Sequence, residues 1–162
     1  MDSSNFLEQL LDLLRSSGIR FAVIGGQAVN AYASPLVSLD LDLAVAVEQL
    51  PLVESLLAAR FRVTHFAHSL NVSAPNSNLR VQIQTDPVYG QMVAAAQERE
   101  VLGLPMPVAG LEDVLQGKIW AALDRERRPS KRQKDLADIS RLLETYPRLR
   151  PLTPDEILQK LL

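Results

Sequence analysis

The chain has no cysteine. That absence excludes disulfide frameworks, thiol nucleophiles and cysteine-ligated zinc or iron–sulfur centres together. Histidine is almost missing too: His65 and His68 are the only two, which excludes a metal centre built on several imidazoles. No apolar run approaches the roughly 20 residues needed to span a bilayer. The segment Met1-Asp2-Ser3-Ser4-Asn5 carries neither a basic region nor a small-residue cleavage site. These absences lead to the expectation of a soluble, cytoplasmic protein with no membrane partner. An excess of positive charge is also lacking: 17 basic residues face 19 acidic ones, for a net charge of −2. Binding to bulk nucleic acid through charge alone is thereby excluded.

What is present is ordinary for a folded chain. Of its 162 residues, 47% are apolar and 22% charged. That length suits one domain, burying about two-thirds of the surface its unfolded chain exposes. The charge is unevenly placed. From Lys118 to Arg141 there are eight basic residues against four acids, while the remainder is acidic. A basic C-terminal third points either to an anionic ligand or to a solvated helix face.

Hydrophobic periodicity predicts the elements. Residues 5–17 form an amphipathic helix with Phe6, Leu7, Leu10, Leu11 and Leu14 on one stripe, Ser4 or Asn5 as cap and Gly18 as stop. A strand at 20–24 runs into Gly25-Gly26, and a short helix over 27–33 ends at Ser34-Pro35. Residues 39–47 are the clearest strand, followed by a helix from Pro51 to about residue 60. Strands are expected at 61–66, 69–73 and 79–85, with a turn at Pro75-Asn76-Ser77-Asn78. In the last of these, Arg80, Gln82 and Gln84 share one face. Residues 88–98 read as helix and 99–109 as a short β segment around Gly103. Residues 111–123 form a helix opened by Glu112 and Asp113. Ser130-x-x-Gln133 has the pattern of a capping box for a long helix ending near Tyr146-Pro147, and a short helix follows Thr153. The order predicts an α+β fold, a small mixed β-sheet flanked by helices. It is read as a single domain over 1–162, with an α/β core at 1–109 and a helical C-terminal part at 110–162.

Two features carry candidate chemistry. Gly25-Gly26 stands between a strand and a helix, where backbone N–H groups can meet a phosphate that no Cβ obstructs. The alternative is a tight turn that merely needs positive φ. Asp40 and Asp42 lie two apart on a strand and so point to the same face, with Leu39, Leu41 and Leu43 opposite. Carboxylates this close repel unless a proton or cation relieves them, and a hard oxygen-ligated ion such as Mg²⁺ does so. The alternative is a solvated strand face. Lys134, Asp138 and Arg141 fall at helical spacing and read first as a surface ion-pair ladder. Residues 125–132 read as a solvated basic loop, His65 and His68 as incidental strand-edge residues, and Trp120 as a core or interface aromatic.

Taken together, Gly25-Gly26-Gln27-Ala28, Ser38-Leu39-Asp40-Leu41-Asp42-Leu43, Lys118 and Lys134-Asp135-Leu136-Ala137-Asp138-Ile139 resemble the nucleotidyltransferase fold of the DNA polymerase β superfamily. The likeness is closer to minimal nucleotidyltransferases and abortive-infection toxin-like members. It implies that Asp40 and Asp42 hold Mg²⁺ (or Mn²⁺), and that Gly25, Gly26 and Ser38 hold phosphate oxygens. Lys118 or Lys134 would meet the triphosphate charge. An NTP would then give its NMP to a hydroxyl of RNA, protein or a small molecule, in a toxin–antitoxin or phage-defence system with a cognate toxin or antitoxin partner. Two departures stand out. Leu36 occupies the place where such proteins often carry an arginine. Gln82 occupies the place of a third carboxylate, with Gln84 and Asp86 as the neighbouring candidates. A glutamine amide cannot act as a base, so the alternative implied is a catalytically impaired binding subunit of the same fold.

Overall fold

The computed structural model describes residues 3–75 and 77–161. The Ser4 side chain, expected as a cap, and Asn76 in the expected turn lie outside the described residues.

Helix α1 (Ser3–Ser16) buries Phe6, Leu7, Leu10, Leu11 and Leu14, the stripe its periodicity requires. Asn5 lies within this helix rather than capping it. Gly18 then turns the chain at φ +68°, a left-handed conformation that suits a helix C-terminus. Strand β1 (Phe21–Ile24) is buried throughout and passes directly into α2 (Gly25–Tyr32). The glycine pair therefore forms the first turn of that helix rather than preceding it. After a loop, β2 (Asp40–Val45) follows, shorter than its apolar run because the chain turns into a 3₁₀ segment at Val47–Gln49. Helix α3 (Leu50–Ala58) carries Pro51 in its first turn, where the missing N–H costs nothing. Strands β3 (Arg62–His65), β4 (Ser69–Ser73) and β5 (Arg80–Gln84) come next.

The next expected helix does not form. Residues 88–98 are not a helix: Pro87–Val93 is a 3₁₀ segment and a strand begins at Gln97. Asp86 fixes that choice by accepting the Val88 N–H at its N-terminus. The β segment expected at 99–109 around Gly103 is present, as a hairpin of β6 (Gln97–Val101) and β7 (Leu104–Val108). Its turn places Leu102 at φ 52° and Gly103 at φ 83°, the two successive left-handed residues that a tight hairpin demands.

Helices α4 (Leu111–Leu123), α5 (Pro129–Thr145) and α6 (Asp155–Leu158) complete the described chain, with a 3₁₀ segment at Pro147–Leu152. The capping box at Ser130 does not form. Arg128 is the N-cap, Pro129 takes the first turn, and no side chain caps the helix. Proline's preset φ starts the helix there instead.

The seven strands make one mixed sheet in the order β3-β4-β5-β2-β1-β7-β6. Strand β2 is central, antiparallel to β1 and parallel to β5. Alternation along β2, β4 and β5 sorts the side chains. Leu41, Leu43, Leu70, Val72, Val81 and Ile83 are buried in the core. The other face carries the polar set. Helix α2 packs against β2 on one side and against α4 and α5 on the other, which brings the C-terminal helices over the β2 carboxylates.

Candidate active site

Parallel pairing of β2 with β5 sets Asp40 beside Arg80, Asp42 beside Gln82, and Ala44 beside Gln84. Antiparallel pairing of β5 with β4 extends the rows, so Gln82 neighbours Asn71 and Gln84 neighbours Ser69. Asp40, Asp42, Ser69, Asn71, Arg80, Gln82 and Gln84 line a cleft of about 1180 Å³, together with Gly25, Gly26 and Ser38. The facing wall comes from α4, the α4–α5 loop and the start of α5, including Lys118, Arg127, Arg128, Lys131 and Lys134.

Asp42 sits under the glycine turn. Gly25 adopts φ +69°, and a Cβ there would lie 2.4 Å from Asp42 Oδ2. Only glycine lets the backbone and the carboxylate approach this closely. No hydrogen bond or ion pair from a described residue reaches the Asp42 carboxylate. Burial pushes its pKa up to about 6; the nearby Lys118 charge pulls it back and Asp40 raises it further. Asp40 is more exposed, and its Oδ1 accepts a hydrogen bond from Arg80 Nε at 2.6 Å. Ser38 Oγ accepts the Asp40 N–H at 3.1 Å, and the Ser38 carbonyl accepts from buried Gln27 Nε2 at 3.1 Å. Asn30 and Arg141 pin the intervening loop: Asn30 Nδ2 donates to the Leu36 carbonyl and Arg141 donates to the Ser34 carbonyl.

Where the resemblance implied a third carboxylate, β5 presents Gln82 in register with Asp42. Gln82 Nε2 donates to Ser69 Oγ at 3.0 Å. Gln84 lies one row away, and Asp86, past the end of β5, lines the cleft while its Oδ1 accepts the Val88 N–H at the 3₁₀ N-terminus. Among the described residues no cluster of three or more metal-ligating side chains occurs. The Asp pair still suits a divalent ion. Mg²⁺ keeps several waters and binds through one or two carboxylates plus substrate phosphates, and Asp42 offers an oxygen that no protein group has claimed.

The facing wall departs from expectation in two places. The ladder at Lys134, Asp138 and Arg141 is not a surface feature, because Asp138 is only 1% exposed. Lys118 Nζ lies 2.8 Å from Asp138 Oδ2 and 3.2 Å from Asp135 Oδ1, and Arg141 donates to Asp138 Oδ1 at 2.7 Å. Lys134 is left out of this cluster and stays exposed at the cleft. The basic loop is likewise not freely solvated. Arg127 donates twice to Asp135, at 2.9 and 3.1 Å, tying the α4–α5 connection to the helix that follows. Trp120 packs edge-on against Tyr89, with ring centroids 5.8 Å apart, and both line the cleft. His65 pairs with Glu54 away from the Asp row, whereas His68 lines the cleft.

Residues 10–162 match the sequence profile of the nucleotidyl transferase AbiEii toxin family of type IV toxin–antitoxin systems. The chain belongs to the AbiEii family. It is thus a nucleotidyltransferase, in keeping with a glycine turn set over paired carboxylates and a facing wall that carries Lys118, Arg127, Arg128, Lys131 and Lys134. No curated protein matches the AbiEii-family chain in sequence. Solved structures share its fold at low identity. The crystal structure of ANT(2")-Ia in complex with adenylyl-2"-tobramycin superposes with TM-score 0.62 at 13% identity, covering 96% of this chain and 92% of that one. An antigenic nucleotidyltransferase-like protein from Paracoccidioides brasiliensis gives 0.57 at 18% identity, covering 97% and 84%. The lincosamide antibiotic adenylyltransferase LnuA, lincomycin-bound, gives 0.53 at 12% identity, covering 84% and 95%. No helix among the described residues is long and apolar enough to cross a membrane.

Sequence reasoning placed Arg127, Arg128 and Lys131 in a solvated basic loop rather than at the site, and did not single out Asn71 or Ser69. The eight-to-four basic excess between Lys118 and Arg141 is the signal that marks the first three. The alternation in Ser69-Leu70-Asn71-Val72-Ser73 marks the last two as a polar strand face.

Proposed function

We propose that the chain moves an NMP from an NTP to a hydroxyl group of RNA, protein or a small molecule, with Mg²⁺ (or Mn²⁺) held by Asp40 and Asp42. One observation carries the reading: both carboxylates share a strand face in the cleft, with the Gly25 backbone pressed against Asp42. The bound ion supplies neutralisation of phosphate charge and a more electrophilic α-phosphorus.

The chain's own groups do the rest. Gly25 and Gly26 open α2 at the cleft with no capping side chain, so their N–H groups can take phosphate oxygens. Ser38 Oγ already accepts the Asp40 N–H, which leaves its own O–H to donate to a phosphate. Lys131 and Lys134 make no ion pair among the described residues and can meet the β- and γ-phosphates. Lys118 spends its charge on Asp135 and Asp138, so its part is to hold the α4–α5 wall and to keep positive potential near Asp42. The acceptor oxygen attacks the α-phosphorus in line; the new O–P bond forms as the bond to pyrophosphate breaks. Holding the reacting groups in line and meeting developing charge supply the acceleration. Family membership supports a cognate antitoxin as the protein partner.

Incubation with α-labelled NTPs and candidate acceptors tests the reading. Transfer of label with release of pyrophosphate is expected, and Asp40→Asn or Asp42→Asn should abolish both. Label transfer that persists in the folded double variant would overturn it.

A further inference from the structure

The residues that β5 presents to the Asp pair set the number of ions the site can take. A two-ion site places divalent cations about 3.5–4 Å apart, and their repulsion must be met by several carboxylates. Here β5 contributes no negative charge to that face. Gln82, in register with Asp42, is a neutral amide already anchored on Ser69 Oγ. Arg80, in register with Asp40, is a cation bonded to Asp40 Oδ1 at 2.6 Å. No third acid joins the pair among the described residues. Arg80 thus removes part of the negative charge that Asp40 brings, and Asp42 alone keeps an unclaimed carboxylate.

We propose that the cleft takes a single divalent cation with its nucleotide, and that Arg80 is a positioning residue that competes with this cation for Asp40. The inference rests on the nucleotidyl-transfer reading and deepens it. Before nucleotide arrives, the guanidinium holds Asp40 in place and weakens binding of the bare ion. When the triphosphate enters, Arg80 can shift from Asp40 to a phosphate oxygen, so the ion enters together with nucleotide rather than ahead of it. Because no third acid joins the Asp pair among the described residues, the acceptor's proton passes to solvent water rather than to a β5 side chain.

Equilibrium dialysis against Mn²⁺ tests this, counting ions retained per chain with and without an α,β-methylene NTP chosen by thermal shift. The wild-type chain should retain one Mn²⁺ with the analogue, and Gln82→Asp should retain two. Gln82→Glu serves if the aspartate variant fails to melt cooperatively. Arg80→Ala should retain one ion but bind bare Mn²⁺ several-fold more tightly than wild type. Two ions in the wild-type complex, or a single ion in both Gln82 variants, would overturn the single-ion inference. Unchanged bare-ion affinity in Arg80→Ala would overturn the role given to Arg80. Failure to retain any analogue overturns the transfer reading itself, and so is distinct from analogue retained with two ions.

Discussion

Gly25 and Asp42 touch: a methyl group on Gly25 would lie 2.4 Å from the Asp42 Oδ2. The backbone there is at φ +69°, so the position resists a side chain on both conformational and steric grounds. Gly18 has nearly the same φ, +68°, but open space around it. Gly18→Ala should therefore cost only the left-handed penalty, about 1–2 kcal/mol. Gly25→Ala should cost more and should also displace Asp42. Urea denaturation of the two variants, with metal and nucleotide binding alongside, checks the pair. Equal stability losses with binding intact in both would contradict the contact.

The raised pKa of Asp42 gives a pH-dependent stability. Its native value of about 6 lies above the ordinary 3.8. Between those values the folded chain binds more protons than the unfolded one, so stability falls as pH rises through that window. Above it the ionised carboxylate costs stability in full; below it the cost disappears. Asp42→Asn should accordingly raise Tm at about pH 8, roughly two units above the native pKa, with a gain that shrinks to nothing near the ordinary value of 3.8. A series of thermal melts without divalent ions measures this.

Lys118 bridges two buried acids, with side chains 1% and 2% exposed. Removing the ammonium while leaving Asp135 and Asp138 in place strands buried negative charge, which commonly costs roughly 3–5 kcal/mol. Arg127 and Arg141 still hold the two acids, so Lys118→Met should fall near the lower end, about 3 kcal/mol. Chemical denaturation is the measurement, and a loss below about 0.5 kcal/mol, typical of a surface substitution, would contradict the buried cluster.

Lys131 and Lys134 should behave in the opposite way. Both are exposed at the cleft with no ion pair among the described residues. The double change to alanine should leave stability within about 0.5 kcal/mol. It should nevertheless weaken nucleotide binding and flatten its salt dependence, since the attraction removed is Coulombic and screened. Calorimetric titration with the NTP at two ionic strengths reads both effects.

Much of this protein was legible along the chain. Strict alternation in Leu39-Asp40-Leu41-Asp42-Leu43 is enough to place both carboxylates on one strand face, because side-chain direction in a strand has period two. The apolar stripe of α1 and the glycine pair after β1 are local signals of the same kind. The hairpin of β6 and β7 was harder to see. Leu102 occupies a left-handed position that its side chain disfavours, so the usual glycine–asparagine turn signature is missing. The helix expected at 88–98 was displaced by a side-chain bond from Asp86 and by the pairing of Gln97 through Val101 with β7.

The sequence by itself determined which residues alternate, which turns need glycine, and where positive charge concentrates, since each is a property of neighbours along the backbone. Only the tertiary structure decided what those residues meet. Parallel pairing across 40 positions of sequence brought Gln82 beside Asp42 and Arg80 beside Asp40. Packing of α4 on α5 drew Lys118, Asp135 and Asp138 out of water into one cluster, while Lys134 on the same helix stayed at the cleft. Such partnerships depend on strand register and helix packing, which arise when distant segments exclude water together, and no local pattern encodes them.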